Sequence, residues 1–136
     1  PLARALEHGW IEVANDVFVG QYKILTAQTK EQLDAGVAAT RDAFTRFDKQ
    51  LAGPFFAGDH FGLVDAAIAP ALYRFVLLEK HSTLRVFDGL PKVAAWAHGL
   101  AERPSVVRGV KTDFERRFID FVRDNAPYLR QLLDAA

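Results

Sequence analysis

The 136-residue sequence has no cysteine, no methionine, only two serines and no net charge. Without cysteine there is no disulfide framework, no thiolate metal site and no cysteine nucleophile in the chain. That composition is in keeping with a cytoplasmic setting. The missing methionine, with Pro1 at the start, reads as a sequence processed or cut from something longer. Seventeen acids balance seventeen bases, which argues against broad binding of a nucleic-acid backbone, since that relies on a clustered basic surface. Neither Ser82 nor Ser105 lies in the G-x-S-x-G turn of a serine hydrolase. The glycines spell neither a phosphate-binding loop nor a dinucleotide fingerprint. His8, His60, His81 and His98 fall in separate segments with no H-x-x-x-H pair, so they read as surface or packing residues and no metal is expected. No signal-peptide pattern is visible. The most apolar window, Leu63 to Leu78, is shorter than a membrane span and contains Asp65, Pro70 and Arg74. By itself the chain does not look like a complete enzyme.

What is present is helical pattern. Half the residues are hydrophobic and a quarter charged, the balance of an ordinary globular domain, and the length suits one domain with a single core. Leu6, Trp10, Val13, Val17, Gly20 and Ile24 are spaced 4-3-4-3-4, which places them on one face of a helix. Leu33, Val37, Thr40, Phe44, Phe47 and Leu51 repeat that spacing. Thr29 and Gln32, between the two runs, form a T-x-x-Q capping box. These features predict two long antiparallel helices, with Gly20 and Thr40 marking their closest approach. Gly53-Pro54 ends the second helix, and the aromatic loop Phe55 to Phe61 folds onto the core. Leu63 to Leu78 is apolar almost all round, as in a central helix. Pro70 inside it predicts a kink or an unpaired carbonyl.

A looser stretch, Lys80 to Gly89, comes next, and Leu90-Pro91 restarts a helix with proline in the first turn. Leu90, Val93, Ala97 and Leu100 form its stripe, flanked by Trp96. Arg103-Pro104-Ser105 breaks that helix and opens a short one. Thr112 and Glu115 form a second capping box before Phe114, Phe118 and Phe121. Those three phenylalanines read as core, with a roof over a hydrophobic site as the alternative. Asp113 and Glu115 complement the dipole of the helix they open. Tyr128 to Leu133 reads as a last, fraying turn or two. No alternating β-run or internal repeat is found. The expected fold class is all-α, six or seven helices around a buried central one, in one domain over residues 1–136.

Three ordered motifs carry a family resemblance. Residues 53–70, Gly-Pro-Phe-Phe-Ala-Gly-Asp-His-Phe-Gly-Leu-Val-Asp-Ala-Ala-Ile-Ala-Pro, resemble the signature of the glutathione S-transferase C-terminal domain. Leu90 to Trp96 resembles the proline-led helix of that family, and Ala101 to Val106 its Ala-x-Arg-Pro-Ser turn. Trp10 to Asn15 and Asp113 to Phe118 are similar to soluble bacterial members. Phe61, Gly62 and Asp65 fall on the family's structural N-cap motif, where members usually have Ser or Thr at the position of Gly62. Physically, Asp65 at the third helical position can accept from the N-cap amide while Phe61 packs ahead of it as a staple.

The resemblance implies a C-terminal domain that forms part of the electrophile site and of a dimer interface. Glutathione would be the co-substrate, bound and activated mainly by a thioredoxin-like N-terminal domain absent from these residues, with Pro1 near the linker. No catalytic residue is expected in this chain. The implied partners are a small hydrophobic electrophile and a second copy of the full-length protein, with no nucleic acid and no membrane, in a cytoplasmic detoxifying transferase. Helix geometry selects Glu12, Val13, Asp16 and Val19 as candidates for facing the active-site cleft; the plainer reading is that Glu12 and Asp16 are solvated and Val13 is core. The same fold is also appended to translation proteins as a non-catalytic assembly module, which is the alternative function. A ligand-binding part of a transcriptional regulator is a weaker third.

Overall fold

The computed structural model describes residues 2–108 and 113–134. Pro1 and Thr112, both invoked above, lie outside the described residues. Six α-helices follow in order: α1 (Leu2–Thr26), α2 (Lys30–Gln50), α3 (Leu63–His81), α4 (Pro91–Glu102), α5 (Pro104–Arg108) and α6 (Phe114–Asn125). A 3-10 turn at Leu129–Leu132 is the last of the described elements. Among the described residues there is no strand, and no helix is long and apolar enough to cross a membrane. The fold class is the all-α bundle expected from the periodicities.

The two predicted stripes meet as an antiparallel pair. Val17 and Ile24 of α1 and Thr40, Phe44 and Phe47 of α2 are fully buried. A Cβ built on Gly20 would fall on the Thr40 hydroxyl and within 3.2 Å of the Thr40 backbone nitrogen, so this crossing requires glycine. Thr40 disposes of its own buried hydroxyl by donating to the Gly36 carbonyl one turn back, at 2.9 Å. Leu6, the first member of the α1 stripe, stays 57% exposed. Phe47 in the last turn of α2 reaches only as far as Trp10, at 5.1 Å between rings, before the chain turns away. The capping box at α2 also differs in one leg. The Gln32 amide donates to Thr29 Oγ1 at 3.1 Å, but the Gln32 side chain accepts from Gln28 N rather than from Thr29.

Helix α3 packs against α1, α4 and α6 and carries nine buried residues, which makes it the central element. It runs unbroken through Pro70 and ends at His81, three residues beyond the apolar window. The segment after it is non-helical but not loose. Leu84, Val86 and Phe87 are buried, and Glu79 Oε2 accepts from the amides of both Val86 and Phe87. Arg41 ties the same segment to α2 through the carbonyls of Val86 and Asp88. The tail is likewise pinned rather than frayed. Leu129 is fully buried, Tyr128 N donates to Ala27 O at 3.1 Å, and Thr83 N and Leu132 O pair at 3.0 Å. Backbone groups that a 3-10 turn leaves unpaired are thus satisfied by the turn after α1 and the end of α3.

Candidate functional site

The aromatic loop before α3 is organised by one carboxylate. Asp65 is 1% exposed, and its oxygens accept three hydrogen bonds at 2.9 Å: Oδ2 from Gly62 N, and Oδ1 from both Phe56 N and Trp96 Nε1. The first is the N-cap bond expected of an acid three residues into a helix. Gly62 has no side chain to return it, so one leg of the box is missing. The other two bonds tie the loop and α4 to the start of α3. Charge-assisted bonds of this kind are among the stronger ones in a fold, and they satisfy a carboxylate that is otherwise costly to bury. Around them Trp10, Phe47, Phe56 and Trp96 form a ring cluster with centroids 5.1–6.4 Å apart.

Phe61 does not act alone ahead of Asp65. Its ring meets Phe55 edge-on at 6.0 Å, and the Arg103 guanidinium lies over it at 4.2 Å and over Phe55 at 5.3 Å. Arg103 Nε also donates to Ser105 Oγ at 2.9 Å. The Arg-Pro-Ser turn therefore clamps the aromatic loop by a cation–π contact. Two motifs some forty residues apart form one structural unit. Both oxygens of Asp65 are engaged in holding the fold, and at 1% exposure the group serves as a structural anchor.

Next to this unit a cleft of about 1000 Å³ opens between α1, α3, α5 and α6. One stripe of α3 forms its floor: Ala66, Ala69 and Pro70 are small or flat, and Tyr73 and Arg74 follow one turn on. Proline has no N–H, so the Ala66 carbonyl lacks its helical donor on this side. Gln21, 3% exposed, donates from α1 to the Ala71 carbonyl at 3.0 Å and fixes the two helices beside the cleft. From α6, Phe114, Phe118 and Phe121 form the opposite wall. Phe114 stacks on Phe118 at 5.8 Å with planes 6° apart and leans on Tyr73 at 5.7 Å. Phe118 is buried, but Phe121 is 52% exposed. The three phenylalanines thus serve both readings, packing on the core at one end and walling a hydrophobic cavity at the other.

Glu115 holds α6 against the end of α3. Its Oε2 accepts from Lys80 Nζ at 2.8 Å and pairs with His81 Nε2 at 2.7 Å. The hydrogen bond from Lys80, then that from His81, holds its carboxyl below the usual carboxylate range. This role was invisible at the helix start, where Glu115 read as a capping-box residue and a dipole partner. His8, His60 and His98 are exposed, and no group of metal-binding side chains occurs among the described residues.

The four residues selected by helix geometry form a different surface. Val13 is half-buried, while Glu12, Asp16 and Val19 are exposed. Asp16 pairs with Arg46 of α2 at 3.1 Å. None of the four borders the cleft. At about 100° per residue, Glu12 and Val19 lie roughly 160–180° round α1 from Gln21. The cleft residues Gln21, Tyr73, Arg74 and Arg117 were not singled out in the sequence. The 3-4 spacing Ala66, Ala69, Tyr73 holds the signal for the floor, but an α3 that is apolar on nearly every side conceals which stripe is open.

Comparison with known proteins agrees with this architecture. The profile of the family described as "Glutathione S-transferase, C-terminal domain" matches residues 30–98. Glutathione S-transferase U18 of Arabidopsis thaliana is 29% identical over 114 residues, covering 78% of this chain and 50% of that protein. The 2,5-dichlorohydroquinone reductive dechlorinase of Sphingobium indicum is 35% identical over 78 residues, 55% of this chain and 22% of that protein. Glutathione transferase Omega 3C from Trametes versicolor superposes with a TM-score of 0.74 at 25% identity, over 82% of this chain and 51% of its own. The chain thus spans about half the length of the transferases it matches. Its helical order, its aspartate-capped central helix and this family match together place the chain in the glutathione S-transferase C-terminal domain family.

Proposed function

We propose that this chain is the C-terminal domain of a glutathione transferase and that its cleft forms part of the site for the electrophilic co-substrate. The observation that carries the reading is the aromatic-walled cavity between α3 and α6 in a chain of this family. Such a wall takes up a small apolar electrophile by burial and ring contact. The thiol would come from glutathione, bound and activated by a thioredoxin-like domain outside these residues; the match to the C-terminal domain family supports that division. The exposed edge of α1 that bears Glu12, Asp16 and Val19, with Val13 behind it, lies on another side of that helix from the α3–α6 cleft and would border the part of the active site that the thioredoxin-like domain completes. The full-length protein would be a cytoplasmic homodimer acting in detoxification. One relative named for the dechlorination of 2,5-dichlorohydroquinone supports an aromatic co-substrate.

The test is direct. The intact protein should bind immobilised glutathione and conjugate 1-chloro-2,4-dinitrobenzene, and residues 1–136 alone should do neither. Robust turnover by residues 1–136 alone would place the chemistry in this chain and overturn the division of labour. A failure of the intact protein to bind glutathione, with stable association to a translation protein instead, would favour the assembly module.

A further inference from the structure

The cleft is apolar in shape but not neutral in charge. Two guanidinium groups, Arg74 and Arg117, border it, and no aspartate or glutamate does among the described residues. Arg117 is partly compensated, since Asp113 one turn back lies 3.7 Å from it, and its side chain is 57% exposed. Arg74 is different. It is half-buried on the central helix, follows Tyr73 on the cleft floor, and makes no ion pair or side-chain hydrogen bond among the described residues. A guanidinium carries five donors in a planar fork and is always charged. Where it is half removed from water without a carboxylate, it retains donor capacity for a ligand, and partial burial strengthens the attraction.

We infer that the cleft selects an aromatic ligand bearing an anionic group, with the ring against Tyr73, Phe114 and Phe118 and the anion on Arg74. The inference rests on the proposed transferase reading and adds the class of co-substrate: an aryl electrophile carrying a carboxylate or a comparable oxyanion, in preference to its neutral counterpart. The carboxylate accepts from the guanidinium fork, a geometry in which two parallel bonds add orientation as well as affinity. That contact fixes which edge of the ring faces the open mouth of the cleft. Arg117, already engaged with Asp113, contributes less.

The experiment uses the intact protein and two ligands of the same shape, 4-chloro-3-nitrobenzoate and 4-chloro-3-nitrobenzamide. Binding is followed by tryptophan fluorescence and conjugation by release of chloride as the glutathione thiolate displaces it. The benzoate should bind about tenfold more tightly than the amide, equivalent to about 1.4 kcal/mol. Arg74→Gln should abolish that difference, with the loss of affinity falling on the benzoate more than on the amide, and Arg117→Gln should reduce it no more than about threefold. Equal affinity for the two ligands overturns the inference, as does an Arg74→Gln variant that weakens both alike or a protein that binds neither. Indiscriminate conjugation of both sinks the anion preference and leaves the transferase reading standing. Selective, Arg74-dependent binding without conjugation does the reverse.

Discussion

Replacing Asp65 with alanine removes the acceptor of three hydrogen bonds at once. Their losses are unequal. Trp96 is 2% exposed, so its indole N–H finds no water in the aromatic cluster, and an orphaned buried donor costs about 1–3 kcal/mol. The Gly62 amide lies at an exposed helix start, where water can replace the carboxylate; its loss is on the capping scale of about 0.5–1 kcal/mol. The half-buried Phe56 amide falls between, at about 1 kcal/mol. The sum is about 2.5–5 kcal/mol, out of the roughly 5–15 kcal/mol that holds a domain together. For a chain of this size that corresponds to a fall in melting temperature of about 8–20 °C. Urea titration followed by circular dichroism measures it, provided the slope with denaturant is unchanged. Asp65→Asn should recover only part of the loss, because its NH2 group is turned toward one of the three donors. The Trp96→Phe change supplies the second arm of a cycle, and the coupling between the two sites should exceed about 0.5 kcal/mol. An Asp65→Ala variant that loses less than about 1 kcal/mol would falsify the account of this node.

Other substitutions test other parts of the fold. Gly20→Ala drives a methyl group onto Thr40 at the α1–α2 crossing; overpacking of this kind should cost about 1–3 kcal/mol, read as a lower urea midpoint. Gly62→Ser restores the missing leg of the cap. Gly62 has φ −127°, and a Cβ there meets only Asp65 Oδ2, at 3.7 Å, so the change should stabilise by a few tenths of a kcal/mol. The Glu115 contact predicts a pH dependence. Its folded pKa lies below the ordinary value of 4.5, so its contribution is present above that pH and is lost as pH falls through the folded value. With the side chain 37% exposed, solvent screening keeps the effect below about 1 kcal/mol. Glu115→Gln should remove that part of the acid dependence, as measured by midpoints at neutral pH and below pH 4.5.

The helices and their inward faces were legible from spacing. A 4-3 repeat selects one side of a helix whatever that side later meets, which is why the stripes from Trp10 to Ile24 and from Leu33 to Leu51 appear where expected. Pro91 as a helix start and Asp65 as a cap are also local matters, set by sterics or by groups three residues apart. Their meaning does not depend on the rest of the chain. The cleft was not legible for the converse reason. Its walls come from α1, α3, α5 and α6, and an apolar α3 has no polar stripe to announce which side remains open. The two further bonds to Asp65, the Arg103 clamp on Phe55 and Phe61, and the hold of Lys80 and His81 on Glu115 join groups some nine to forty-eight residues apart. Periodicity carries no information about such pairs, because it says which way a side chain points from its own axis and not what stands opposite. That the chain holds no cysteine is read from composition alone, because it depends on no partner in space. The aromatic cavity, with an arginine that has no ion pair among the described residues, exists only once four helices have been brought together.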